Sequence, residues 1–186
     1  NASVVEEVAK CLYEYKDLPI VLDPVMFAKS GDRLIEETAI EAIKKKLFPL
    51  ATIVTPNIAE AAALVGRHLQ SPKEIEIATL ELCSLGPEAI VVKGGNLTTQ
   101  TSDDCMVTKG SRLKWLKQKR ILTQNTHGTG CTFSSAIASF LAQSYSIEDA
   151  IRLAKKYLTE ALKAGSDISI GAGKGPVNHF YKTWTN

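Results

Sequence analysis

Short, mainly apolar runs alternate with helical periodicity along most of the chain. Pro19-Ile20-Val21-Leu22, Ala51-Thr52-Ile53-Val54 and Ala89-Ile90-Val91-Val92 lack the strict alternation of a half-exposed strand. They predict strands buried on both faces, as in a parallel sheet. Four stretches around and between them predict helices: Val4, Val5, Val8, Ala9 and Leu12; Ile35, Ala39, Ala42, Ile43 and Leu47; Ile58 to Val65; and Pro72 to Leu85. The pattern then changes. Cys105 to Thr108 and Leu113 to Leu116 flank Lys109-Gly110-Ser111, a hairpin signature that predicts an antiparallel edge. A glycine turn from His127 to Gly130 leads into a helix from about Cys131 to Gln143. Ser146 with Asp149 predicts a capping box for a long helix striped by Ile147, Ala150, Ile151, Ala154, Leu158, Ala161 and Leu162. Gly171 to Pro176 predicts a loop.

Strands alternating with helices specify an α/β architecture with a mostly parallel central sheet, here carrying one antiparallel edge hairpin. Ligands on such sheets sit at the carboxyl ends of the strands. The strands end at Asp23-Pro24, Thr55-Pro56-Asn57 and Lys93-Gly94-Gly95, so these polar residues are expected to converge on one crevice.

The chain has 186 residues, 45% of them hydrophobic, which suits one domain over 1–186 with a sizeable core. Its 22 Lys and Arg against 20 Asp and Glu leave a formal charge of +2. So balanced a surface argues against nucleic-acid or membrane partners held by broad electrostatics. Cys11, Cys83, Cys105 and Cys131 lack metal-ligand spacing and read as reduced thiols of a cytoplasmic protein. There is no membrane-length apolar stretch and no signal pattern. The chain opens at Asn1 directly into a helix with no preceding strand, which reads as a start in mid-fold.

The strongest local chemistry lies at Asn125 to Phe133. Successive backbone amides in a glycine turn that opens a helix make an anion nest, reinforced by the helix dipole. A phosphate, or the charge on a transferring phosphoryl group, is its natural guest. A glycine turn also serves plain loop-to-helix connections, and the neighbouring residues decide between the two. Cys131 falls in the first helical turn, an electropositive setting that favours thiolate and hence proton acceptance. Cys11 and Cys83 have no such setting and read as small buried apolar residues.

The run HGTGCTFSSAIAS at 127–139, with VLDPV at 21–25, TPNIAEA at 55–61, VVKGG at 91–95 and GKGPVNH at 173–179, resembles the hydroxymethylpyrimidine and hydroxymethylpyrimidine phosphate kinases of thiamin synthesis. The resemblance spans almost the whole chain, which covers about the last two thirds of the family pattern. It implies a ribokinase-like, three-layer α/β/α fold that uses ATP and Mg²⁺ to phosphorylate a small pyrimidine substrate, with a homodimer as the expected assembly. By motif position, Cys131 is implied as catalytic base, and Gly128, Thr129 and Gly130 with the Cys131 amide as the anion hole. Lys93 is implied to neutralise the ATP phosphates, and Asp23, Asn57 and Glu60 to hold the metal. Val25, with Met26, is placed on the pyrimidine side.

Each of these residues also has a plain structural reading. Asp23 before Pro24 can cap a turn, Asn57 can cap a helix, and Glu60 can be a first-turn acid. Lys93 can be a solvated strand-end lysine, and Val25-Met26 can be core. His127 and His179 read as structural, and Trp115 and Trp184 as packing residues. The chain has Asn96 after K-G-G and Lys174 in the tail, where the family commonly has histidine. Two competing readings remain: a pyridoxal kinase of the same fold, and a non-catalytic relative that keeps the fold and has lost the reaction.

Overall fold

Five strands form one mixed sheet in the order β1-β2-β3-β4-β5. The structure is a computed structural model that describes residues 1–28, 31–95 and 100–183; part of the Lys29 to Arg33 loop, Asn96 and Trp184 lie outside the described residues. The chain divides into two compact units, 1–118 and 119–186, and each is treated by itself.

The first unit holds the whole sheet. β1 (Val21–Leu22), β2 (Ile53–Val54) and β3 (Ala89–Val92) pair in parallel. β4 (Asp104–Thr108) then runs antiparallel to β3, and β5 (Lys114–Leu116) antiparallel to β4. The parallel core and the antiparallel edge hairpin are thus as expected. Gly110 makes the hairpin turn with a positive φ of 78°, a conformation glycine adopts without steric cost.

β3 lies where the sequence places it, and all four of its residues are buried. Register puts Val54, Ile90 and Val107 side by side, with Val92 opposite Cys105. These join Leu82, Ala78, Leu64 and Phe48 in the main core. Ile53, Ala89, Val91 and Met106 are buried too, so the continuous apolar runs have their physical reason. β1 and β2 are shorter than their apolar runs. At Ile20 the strand-like N–H turns to the Thr52 hydroxyl, 3.0 Å away, instead of a ladder carbonyl.

Four helices share this unit with the sheet. α1 (Ala2–Tyr13) is capped by the Asn1 side chain. It packs Val5, Ala9 and Leu12 towards the core, whereas Val4, Val8 and Cys11 face outwards. The expected burial of Cys11 is therefore wrong: the valines of α1 offer two apolar stripes, and Cys11 sits on the exposed one. Cys83 is half-buried, and burial raises the pKa of its thiol. α2 (Glu37–Ala42) begins after Ile35 and runs on through a wide turn, Ile43–Leu47, and a tight one, Phe48–Leu50. Pro49 has no N–H to continue the α ladder, which accounts for the irregular end. α3 (Ile58–Val65) and α4 (Pro72–Cys83) both start with complete capping boxes, Asn57/Glu60 and Ser71/Glu74. α4 lies against β3 and β4.

The second unit pairs α5 (Thr129–Ala142) with α6 (Ile147–Gly165). The Phe140 and Tyr145 rings meet edge to face at 5.6 Å across their connection. Ser146 accepts the Asp149 N–H at 3.2 Å, and its hydroxyl donates to the Asp149 carboxylate at 2.9 Å. The expected box is therefore modified, because Asp is one methylene shorter than the Glu that reaches back to a cap amide.

Candidate active site

In the first unit the ends of β1, β2 and β3 bring Asp23, Thr55, Asn57, Glu60 and Lys93 together. Lys93 leaves the end of β3, and its Nζ meets Asp23 Oδ1 at 2.7 Å, with both side chains only 14% exposed. The plain reading of Lys93 as a solvated lysine is thereby excluded. Thr55, fully buried after β2, directs its hydroxyl at the Leu22 carbonyl (3.5 Å) and Asp23 Oδ1 (3.4 Å). The Lys93 N–H donates to the Pro56 carbonyl at 2.8 Å, and Lys93 bridges to Asn57 in parallel.

Asn57 and Glu60 perform the structural work that their positions suggest. Asn57 Oδ1 accepts the Glu60 N–H at 2.9 Å, and Glu60 Oε2 accepts the Asn57 N–H at 2.7 Å. The two side chains together therefore staple the start of α3. Glu60 is 2% exposed. Desolvation pushes its pKa up, against the opposing pull of the amide bonds and Lys93. Val25 and Met26 part company: Met26 is fully buried core, while Val25 is 43% exposed.

Among the described residues, no three or more His, Cys, Asp or Glu side chains gather as a metal site. Mg²⁺ keeps several waters and takes one or two carboxylates with substrate phosphates, so a smaller oxygen set suits it. Asp23 fits as a direct ligand in exchange for Lys93. Asn57 and Glu60 already accept amide bonds and would contribute through remaining lone pairs or through water.

In the second unit Gly128 caps α5 in the left-handed conformation, φ 79°, and its carbonyl accepts the Thr132 N–H at 2.8 Å. Thr129, Gly130 and Cys131 thus occupy the first three helical positions, whose amides an α-helix leaves without an intrahelical acceptor. Cys131 is exposed. The His127 N–H donates to the Gly175 carbonyl at 3.0 Å, and His127 bridges to Pro176. Asn125 Nδ2 donates to the carbonyls of Gly165 (2.6 Å) and Ile168 (2.5 Å). Gly175 passes so close to this side chain that a Cβ would lie 2.0 Å from Asn125 Oδ1. The GKGPVNH tail is thereby fastened to the turn before the nest. Its last residue, His179, meets Thr132 Oγ1 at 2.9 Å.

Three residues escape a reading by motif. Thr55 and His179 belong to recognised motifs but draw no role from them. Asp104, buried at the start of β4, accepts the Gly94 N–H at 2.9 Å. The one signal for it is an acid placed at the head of an otherwise apolar strand.

A family model, Phosphomethylpyrimidine kinase, matches residues 1–178. The chain belongs to the phosphomethylpyrimidine kinase family. Within it, the chain is 42% identical over 179 residues to the thiamine biosynthesis bifunctional protein ThiED of Geobacter sulfurreducens, covering 96% of this chain and 36% of that protein. It is 40% identical to the hydroxymethylpyrimidine/phosphomethylpyrimidine kinase of Streptomyces coelicolor, covering 96% of this chain and 65% of that enzyme. The chain therefore spans less than two thirds of the length of either relative. An ADP complex of Bacillus subtilis pyridoxal kinase superposes with a TM-score of 0.88 at 31% identity, covering 97% of this chain and 67% of that one. The ribokinase-like α/β class expected from the sequence is borne out. Among the described residues no helix is long and apolar enough to cross a membrane.

Proposed function

We propose that residues 1–186 act as one kinase domain that transfers the γ-phosphoryl group of ATP to 4-amino-5-hydroxymethyl-2-methylpyrimidine and then to its monophosphate. The observation that carries this reading is the half-buried Lys93–Asp23 pair at the strand ends, in a chain of the phosphomethylpyrimidine kinase family. A lysine held beside an acid at that place is suited to exchange its partner for phosphate.

Each group then has a task. Lys93 turns from Asp23 to the ATP phosphates, and Asp23, supported by Asn57 and Glu60, would hold the metal. Magnesium, when bound, would neutralise charge on the phosphate oxygens. Cys131 accepts the proton of the substrate hydroxyl as its oxygen attacks the γ-phosphorus, while the bond to the β-phosphate oxygen breaks and ADP leaves. Amides from Gly128, Thr129, Gly130 and Cys131 hold the charge that develops, which is the effect of a preorganised oxyanion site. Val25 offers an apolar side chain to the pyrimidine. A cytoplasmic homodimer completes the proposal, and sedimentation of the purified chain tests the assembly.

The likeness to a pyridoxal kinase favours a second reading, phosphorylation of pyridoxal. Incubation with ATP and Mg²⁺, and with each of hydroxymethylpyrimidine, its monophosphate and pyridoxal, separates the two by mass-spectrometric product analysis. We expect the pyrimidines to be preferred by about tenfold or more in kcat/KM, the discrimination that pocket contacts worth one or two kcal/mol supply. A preference for pyridoxal selects the second reading. No transfer to any of the three selects the non-catalytic relative.

A further inference from the structure

We infer that Asp104 is a positioning residue that holds the Lys93–Gly94 strand end and so aims Lys93, an assignment whose functional half rests on the nucleotide reading of Lys93. Asp104 opens β4 and is 3% exposed, yet it is an acid. Burying a carboxylate costs several kcal/mol unless its bonds compensate, so its use should be sought in those bonds. Its Oδ1 accepts the Gly94 N–H at 2.9 Å. Gly94 also runs so close to Asp103 that a Cβ would lie 1.8 Å from the Asp103 carbonyl oxygen. On the other flank, the Lys93 N–H is held by the Pro56 carbonyl at 2.8 Å. The strand end is thus clamped from β2 on one side and from β4 on the other.

The clamp matters because Lys93 must reach far. β1 and β3 flank β2, which puts Asp23 and Lys93 at least two strand spacings apart, about 9 to 10 Å or more. The long lysine side chain closes that gap to the observed 2.7 Å, so where its backbone is held decides what its ammonium reaches. The neighbouring acid does a parallel task, since Asp103 Oδ1 accepts the Gln118 N–H at 2.8 Å beyond β5. Asp103 ties down the hairpin's far flank, and Asp104 ties the hairpin to the Lys93 turn. A carboxylate acceptor gives a stronger bond than a neutral one, which suits a turn that has to carry a charged side chain.

The test uses the whole chain with Asp104→Ala and Asp104→Asn, each with Lys93 present and in a Lys93→Ala background. Two readouts are taken: hydrogen exchange at the Gly94 amide in the free protein, and the Kd for ADP. Asp104→Ala should speed Gly94 exchange by at least about tenfold and weaken ADP by about tenfold, the scale of losing a bond to a charged group. Where Lys93 is already alanine, the further loss should be less than about twofold, because a residue that acts only through Lys93 has nothing left to act on. Asp104→Asn should stay within about threefold of wild type, since its carboxamide oxygen can still accept the Gly94 N–H. If Asp104→Ala does not fold, Asp104→Val replaces it, being β-favouring and without an acceptor. Equal losses in both backgrounds would make Asp104 a general structural residue and overturn the inference, as would unchanged Gly94 exchange. If the wild-type chain does not bind ADP, the nucleotide reading of Lys93 is what fails, and Gly94 exchange still decides whether Asp104 holds the strand end.

Discussion

The end of β3 and the start of α5 present positive charge in opposite ways. Around Lys93 the work is done by side chains brought from positions 23, 55, 57, 60 and 93, buried or half-buried and linked by hydrogen bonds. At Gly128 to Cys131 it is done by consecutive backbone amides, set by one left-handed glycine and the helix that follows. The first arrangement carries full charges and pays for their burial; the second carries partial charges and needs no side chain. A substitution should therefore disable the first region by breaking a partnership. In the second it should leave the amides in place and remove only the chemistry of the side chain replaced.

The largest expected effect is on that chemistry. Cys131→Ala should lower turnover by about 10² to 10⁴, the usual contribution of a positioned base, with ADP affinity within about threefold of wild type. Cys131→Ser should fall near Ala, because a hydroxyl is a poor base. Cys131→Asp should retain more, since a carboxylate can accept the proton. Pre-steady-state transfer and equilibrium ADP titration separate the two quantities, and a matching loss in both would place Cys131 among the binding groups instead.

At the other region, Asp23→Ala should cost about 1 to 3 kcal/mol of stability, because it leaves the Lys93 ammonium without its carboxylate in a half-buried position. Lys93→Met together with Asp23→Leu should recover most of this, and neither variant should retain tight ADP binding. Urea denaturation gives the stabilities. An Asp23→Ala chain as stable as wild type would show that the pair adds nothing to the fold in solution.

The smallest effect concerns Glu60. Its folded pKa lies above its ordinary value of 4.5, chiefly through desolvation. The stability it contributes is therefore complete below about pH 4.5 and is lost as pH rises through the folded value. Wild type should lose ground against Glu60→Gln between pH 4.5 and 7.5. Parallel stability curves over that window would mean that Glu60 is not desolvated.

The same contrast explains what the sequence disclosed. The nest is contiguous, so its glycines, its helix and its cysteine can be read together as a local motif. The β3 strand was equally legible, because burial on both faces leaves an unbroken apolar run. α1 was only half legible: Val4, Val5 and Val8 support two stripes, and nothing local says that Val5, Ala9 and Leu12 are the ones to be covered. The strand-end cluster joins residues up to 70 positions apart. Taken singly, Asp23, Asn57 and Glu60 carry cap and turn signals; the strand ends grouped Asp23, Asn57 and Lys93, and resemblance to a family added Glu60. Asp104 acts on a glycine ten positions earlier across a β3–β4 pairing, which leaves no motif to find.

The most direct test is an ADP titration of the whole chain with the backbone amides of Thr129, Gly130 and Cys131 followed by NMR. Large, saturable shifts are expected at these three amides with the Kd found by calorimetry, and the same shifts in Cys131→Ala at Thr129 and Gly130. Amides that stay unmoved while calorimetry reports saturation would contradict this expectation.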